Sequence, residues 1–128
     1  MKKILLDTNA ISSLFRGDKK VLEEIIEADR VYISIFVLGE LFSGFKGGNK
    51  ENENYLLIKD FISKSTVKTI NGTMETAEIF SEIKNKLKVN GTPLPINDIW
   101  IAAHSIETGS VLITYDKHFD EISGLRKW

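Results

Sequence analysis

The chain has 128 residues, the usual size of one domain and enough to bury a real core, so a single domain over residues 1–128 is expected. A hydrophobic content of 42%, a charged content of 27% and only two prolines exclude a disordered chain, and 17 basic against 18 acidic residues exclude a global electrostatic pull on nucleic acid. With no cysteine there are no disulfides or thiolate metal sites, and with no apolar run long enough to span a bilayer the expected setting is soluble and cytoplasmic, with no membrane partner.

Residues 4–6 are apolar and end abruptly in Asp7-Thr8-Asn9, the pattern of a buried strand entering a turn. A signal peptide would run further before meeting a charge. Thr8 or Asn9 is placed to cap a brief helix through Leu14 and Phe15 that Gly17 ends. Asp18 is placed to cap a second, because Val21, Leu22, Ile25 and Ile26 recur at helical spacing. Val31-Tyr32-Ile33 reads as the second strand. Ser34 is a further cap, before Phe36, Val37, Leu41, Phe42 and Phe45, which suit a helix packed on more than one side.

Residues 46–54 are the only polar, loop-like stretch and are expected to form a mobile surface loop. Leu56, Leu57, Phe61 and Ile62 suggest a helix and residues 66–70 a third strand. After the Asn71-Gly72 break, Ile79, Phe80, Ile83 and Leu87 mark a long amphipathic helix, with Lys84, Lys86 and Lys88 crowding the end where cations suit the helix dipole. Residues 91–95 turn into the Asp98 helix, which Gly109 ends. Residues 111–114 read as a fourth strand, 117–122 as at most a short helix, and 125–128 as a candidate fifth strand. Strands and helices alternate, which predicts a parallel sheet of four to five strands with helices on both faces.

Four acids stand where an acid is hard to explain structurally. Asp7 ends an apolar run, Glu40 interrupts the otherwise uncharged stretch 31–45, Asp98 opens the run Ile99-Trp100-Ile101-Ala102-Ala103, and Asp116 follows the fourth strand by one tyrosine. In a parallel sheet ligands collect beyond the carboxyl ends of the strands, where Asp7 and Asp116 are expected. A helix feeding a parallel strand begins at that same edge, which brings Asp98 there, and Glu40 reaches it from the side. Gathered together, four carboxylates repel one another until a hard divalent cation enters. Each also has a plainer reading, as an N-cap, a first-turn dipole partner or a surface pair. Asp98 or Asp116 taken singly is better read as a cap, and Glu40 is the hardest to explain that way.

Asp7-Thr8-Asn9, Val37-Leu38-Gly39-Glu40-Leu41, Asn97-Asp98-Ile99-Trp100-Ile101-Ala102-Ala103 and Thr114-Tyr115-Asp116-Lys117-His118-Phe119 resemble, in order, the four motifs of the PIN domain. In length the chain is most similar to VapC-like toxins of bacterial toxin-antitoxin pairs. The resemblance implies an α/β/α sandwich and an endoribonuclease, dependent on Mg²⁺ or Mn²⁺, that cuts RNA, with tRNA one candidate. It further implies a cognate antitoxin and a homodimer. Carried over residue by residue, it makes Asp7, Glu40, Asp98 and Asp116 the catalytic and metal-binding quartet, with Thr8, Asn9 and Thr114 in support.

Other residues invite roles. Arg16, Lys46, Lys117 and His118 are candidate RNA contacts, with solvated surface charge as the default for the first three. The loop 46–54 and the crevice rim are where specificity is expected. His104 suits a half-buried, hydrogen-bonded role, and neither histidine has a partner spaced like a zinc site. Trp100 reads as core or dimer contact, Trp128 as a residue able to stack on a base but placed where chains fray. Phe36, Phe42 and Phe45 read as core, with any excess of apolar surface there a candidate antitoxin or dimer interface. A phosphotransferase of the haloacid-dehalogenase kind needs a second Asp where this chain has Asn9, and a phospho-receiver needs an Asp where it has Thr69-Ile70-Asn71. The rival of another class is a non-catalytic metal- or protein-binding α/β module.

Overall fold

A computed structural model describes residues 1–128. Its centre is β1 (Lys3–Leu6), whose Ile4, Leu5 and Leu6 are fully buried, because this strand has a neighbour on each side and helices above and below. It pairs in parallel with β2 (Arg30–Ser34), in the register Ile4 to Val31, and with β4 (Val111–Ile113), in the register Leu5 to Leu112. The strand β3 (Val67–Ile70) adds to the outer side of β2, giving the order β3-β2-β1-β4, all parallel. The chain thus builds outward on one side of β1 and then crosses back to its other side.

Between β1 and β2 run α1 (Thr8–Phe15) and α2 (Lys19–Glu27), and between β2 and β3 run α3 (Ile35–Phe45) and α4 (Glu51–Ile62). The return connection holds α5 (Met74–Asn90) and α6 (Ile96–Thr108), packed along each other. Right-handed crossovers place α1 to α4 on one face and α5 and α6 on the other, so the expected α/β/α sandwich is formed. Gly109, with φ at 66°, turns the chain from α6 into β4; its left-handed conformation lets the amides of Gly109 and Ser110 reach back to Ile106 and Ser105.

Three local expectations are corrected. The cap of α1 is Asp7 itself, which accepts from the Ala10 amide at 2.8 Å, whereas Thr8 and Asn9 already lie inside the helix. The segment 46–54 divides: only residues 46–50 are turn and bend, and α4 begins at Glu51, whose carboxylate accepts from the Gly47 amide at 3.1 Å. Glu51 and Glu53 suit the positive end of that helix, so a stretch that looks loop-like by polarity is a helix start. Residues 125–128 make one parallel bridge, Leu112 to Lys127, and no fifth strand. The Leu112 amide donates to Arg126 and the Trp128 amide to Leu112, after which the side chains turn to separate anchors.

The two faces are joined at the carboxyl edge by polar and aromatic contacts. Ser34 caps α3 and also meets Nδ1 of the fully buried His104 on α6, at 2.9 Å. Trp100 of α6 lies between Phe36 of α3 and Phe80 of α5, with ring centroids 5.3 and 3.8 Å away and near-parallel planes, so its place is packing within the chain. Burial pushes the His104 pKa below its ordinary value, and its Nε2 finds no partner. His104 is therefore neutral when folded and takes up a proton first in the unfolded chain. Its stabilising contribution is complete above about pH 6.5 and is lost as pH falls from there toward the depressed folded value. Thermal melts between pH 7.5 and 5.5 should show a steeper acid-side loss of Tm in the wild type than in His104→Asn, which keeps an amide for Ser34 and cannot titrate; equal slopes would contradict this.

Candidate active site

At the carboxyl edge the chain reverses direction about β1, and the crevice there lies between the ends of β1 and β4. Asp7 leaves β1 and is only 4% exposed. One carboxylate oxygen takes the Ala10 amide and the other takes the hydroxyl of Thr114, which leaves β4. Thr114 is buried too, and its oxygen accepts from the Asp116 amide at 3.0 Å. A single hydroxyl therefore fixes two of the acids relative to each other. Asp116 in turn accepts from the His118 amide at 2.9 Å and meets the His118 ring at 2.8 Å.

Glu40 sits one and a half turns into α3, on a half-buried face, and accepts from the Thr8 hydroxyl at 2.7 Å. Asp98 lies in the first turn of α6, as expected for a helix that feeds a parallel strand. An open groove runs from Glu40 between α3 and the start of α6, lined by Gly39, Ser43, Gly44 and Asn97. A separate cavity lies among Ile79, Ile83, Leu87, Ile106 and Ile122, and holds none of the four acids.

The four charges act on one another. Asp98 is pushed up to about 6, first by burial and then by Asp116, Glu40 and Asp7, with His118 pulling the other way. Asp7 is raised by burial, against the bonds from Thr114 and Ala10, and raised further by Asp116 and Glu40. No three of the groups stand together as a ready ligand cluster. Each of Asp7, Glu40 and Asp116 accepts a hydrogen bond from its own donor. The donor set fits a hard divalent cation: it consists of carboxylate oxygens, and Asp98 carries an electrostatic cost that a positive charge would relieve.

The other residues singled out in the sequence fall in different places. Asn9 is exposed on the first turn of α1. Lys117 and His118 follow Asp116 in a 3₁₀ turn and are exposed at the crevice rim. Arg16 lies beyond the far end of α1, roughly 13 to 14 Å along its axis from Asp7. Lys46 lies past the end of α3 and pairs with Glu51 at 3.0 Å. One tie escaped the sequence: Asp18 accepts from Ser13 and from the Tyr115 phenol, both at 2.6 Å, besides capping α2. The Ser13 and Tyr115 bonds and the helix amides hold its carboxyl down to about 2. Its capping signal was visible, but its partner lies 97 residues away.

Two consequences are measurable. Asp98 has a raised folded pKa, so its charge penalises the fold progressively from about pH 4 to 6 and fully above that. Partial exposure discounts the penalty to roughly 1 kcal/mol. Asp98→Asn should therefore melt a few degrees higher than wild type at pH 7.5 and no higher at pH 4. Thr114→Val removes the hydroxyl between Asp7 and the Asp116 amide and should cost about 1 to 3 kcal/mol in urea denaturation; an unchanged midpoint would mean the Asp7 carboxylate finds another donor.

Comparison with known proteins identifies the family and the fold. The PIN domain family model matches residues 4–125. Ribonuclease VapC1 of Haemophilus influenzae (strain R2866) is 28% identical over 127 residues, covering 95% of this chain and 93% of that protein. The tRNA(fMet)-specific endonuclease VapC of Salmonella typhimurium (strain LT2) is 28% identical over 129 residues, covering 98% and 96%. Among solved structures, VapBC-1 from nontypeable Haemophilus influenzae superposes with a TM-score of 0.88 at 27% identity, over 98% of this chain and 96% of that one. With the match running from the first residue of the central strand's buried run to beyond the last acid, the chain belongs to the PIN domain family.

Proposed function

We infer that residues 1–128 act as a single nuclease domain, a metal-dependent endoribonuclease toxin that cuts RNA and is neutralised by a cognate antitoxin. The observation that carries this is four carboxylates, Asp7, Glu40, Asp98 and Asp116, that feel one another at one sheet edge, where burial first and the neighbouring acids second raise Asp98 to about 6. The relatives' names, Ribonuclease VapC1 and tRNA(fMet)-specific endonuclease VapC, support RNA as the substrate and make tRNA the first to test. No helix is long and apolar enough to cross a membrane, which is compatible with work in the cytoplasm.

In this reading Asp7 and Asp98 would hold the principal Mg²⁺ or Mn²⁺, and Glu40 and Asp116 would complete a second position or orient the attacking water. When bound, such ions supply charge for the phosphate and a more acidic water. The chain's own residues do the positioning. Thr114 fixes Asp7 and the Asp116 backbone, and Thr8 occupies one Glu40 oxygen, leaving the other for water. His118 and Lys117, at the rim, are placed to meet backbone phosphates. The cleft between α1, α3 and α4, lined by Phe15, Arg16, Leu41, Phe45 and Leu57, offers an apolar surface for the antitoxin. Homodimerisation is part of the same proposal and is read from the sedimentation of purified protein.

Purified, antitoxin-free protein should cut tRNA or total RNA with Mg²⁺, lose activity in EDTA, and lose at least about 100-fold in Asp98→Asn. Water attack leaves a 5′-phosphate and a 3′-hydroxyl. Recovery of 2′,3′-cyclic phosphate would overturn the mechanism, since it reports attack by the RNA's own 2′-oxygen.

A further inference from the structure

Tyr115 stands between Thr114 and Asp116 and is 51% exposed, although it is held from two sides. Its hydroxyl donates to Asp18, and the Trp128 ring meets it with centroids 5.3 Å apart and planes at 66°. Trp128 is itself fixed, donating its indole N–H to the Thr114 carbonyl at 2.8 Å and its amide to Leu112, and stays 37% exposed. Two hydrogen bonds and a ring contact thus hold Trp128 at the end of the chain. Phe119, only 1% exposed, packs into the core nearby, whereas both rings of the pair keep exposed surface. A rigid aromatic loses little conformational freedom when a ligand lies on it. In the chain Tyr115 directly precedes Asp116 and the exposed Lys117, which makes no ion pair.

We propose that Tyr115, buttressed by Trp128, is a stacking platform for an unpaired nucleobase of the RNA, next to the phosphate cut at the acid cluster. This deepens the ribonuclease reading above and rests on it. Every base has a π-face, so the platform selects an unstacked, single-stranded nucleotide and not a sequence. A base inside a duplex has both faces covered and cannot use it. Cut sites therefore fall in loops or single strands.

The test is steady-state cleavage of a single-stranded oligoribonucleotide carrying a mapped cut site, and of copies with one abasic nucleotide at each position flanking it. Wild type, Tyr115→Phe and Tyr115→Leu are compared. Tyr115→Leu should raise KM about 5- to 100-fold with kcat little changed. Tyr115→Phe, which loses the Asp18 bond and keeps the ring, should stay close to wild type. One abasic position should weaken wild type by a similar factor and add nothing in Tyr115→Leu. If Phe and Leu fail together, Tyr115 is only a tie to Asp18; if no abasic position is non-additive with Leu, no base stacks there; either overturns the platform. Wild type that cuts no RNA at all removes the nuclease reading first, and the platform with it.

Discussion

Burying the Asp7 carboxylate is the constraint from which the rest of the edge follows. A carboxylate so little exposed must be given donors or neutralised, and this one receives an amide from its own helix and a hydroxyl from the strand beside it. The first bond starts α1 immediately after β1. The second requires β4 to end beside β1 with Thr114 facing inward, and the same hydroxyl accepts from the amide of Asp116. Sheet order, helix start and the position of a second acid are thus tied to one buried group.

Around that group the charges are arranged against folding. Asp98 and Asp7 are both raised by burial and by neighbouring carboxylates, and His118 is the one opposing group felt at Asp98. A site that only served stability would pair or delete such charges, whereas perturbed carboxylates gathered at a crevice are what binding and catalysis require. Glu40, Asp7 and Asp116 each accept a hydrogen bond that fixes one of their oxygens within the site.

The cost is carried by a scaffold that needs no charge. The Phe36, Trp100 and Phe80 rings join α3, α6 and α5, and the Ser34 contact with His104 joins the end of β2 to α6. These contacts fix the helix bearing Glu40 against the helix bearing Asp98, so two acids from opposite layers reach one edge.

Much of this was legible in the chain alone. Apolar runs and spacing marked the four strands and most helices, because burial on a face leaves a pattern that local sequence must show, and cap and stop residues marked the brief first helix. The caps at Asp18 and Ser34 were legible for the same reason, their partners lying two or three residues away. The acids stood out because an isolated carboxylate in an apolar run has few structural uses. What sequence could not decide was anything whose partner is distant: the Thr114 hydroxyl on Asp7, the Tyr115 phenol on Asp18, Ser34 on His104, and the indole of Trp128 on Thr114. Polarity misled at residues 51–54, where charge serves a helix start, and apolarity misled at 125–128, where one bridge replaces a strand. Local pattern determines which elements form, since each residue's burial is written in its neighbours; only the closed fold decides which side chains meet, since those distances depend on the packing of every element between them.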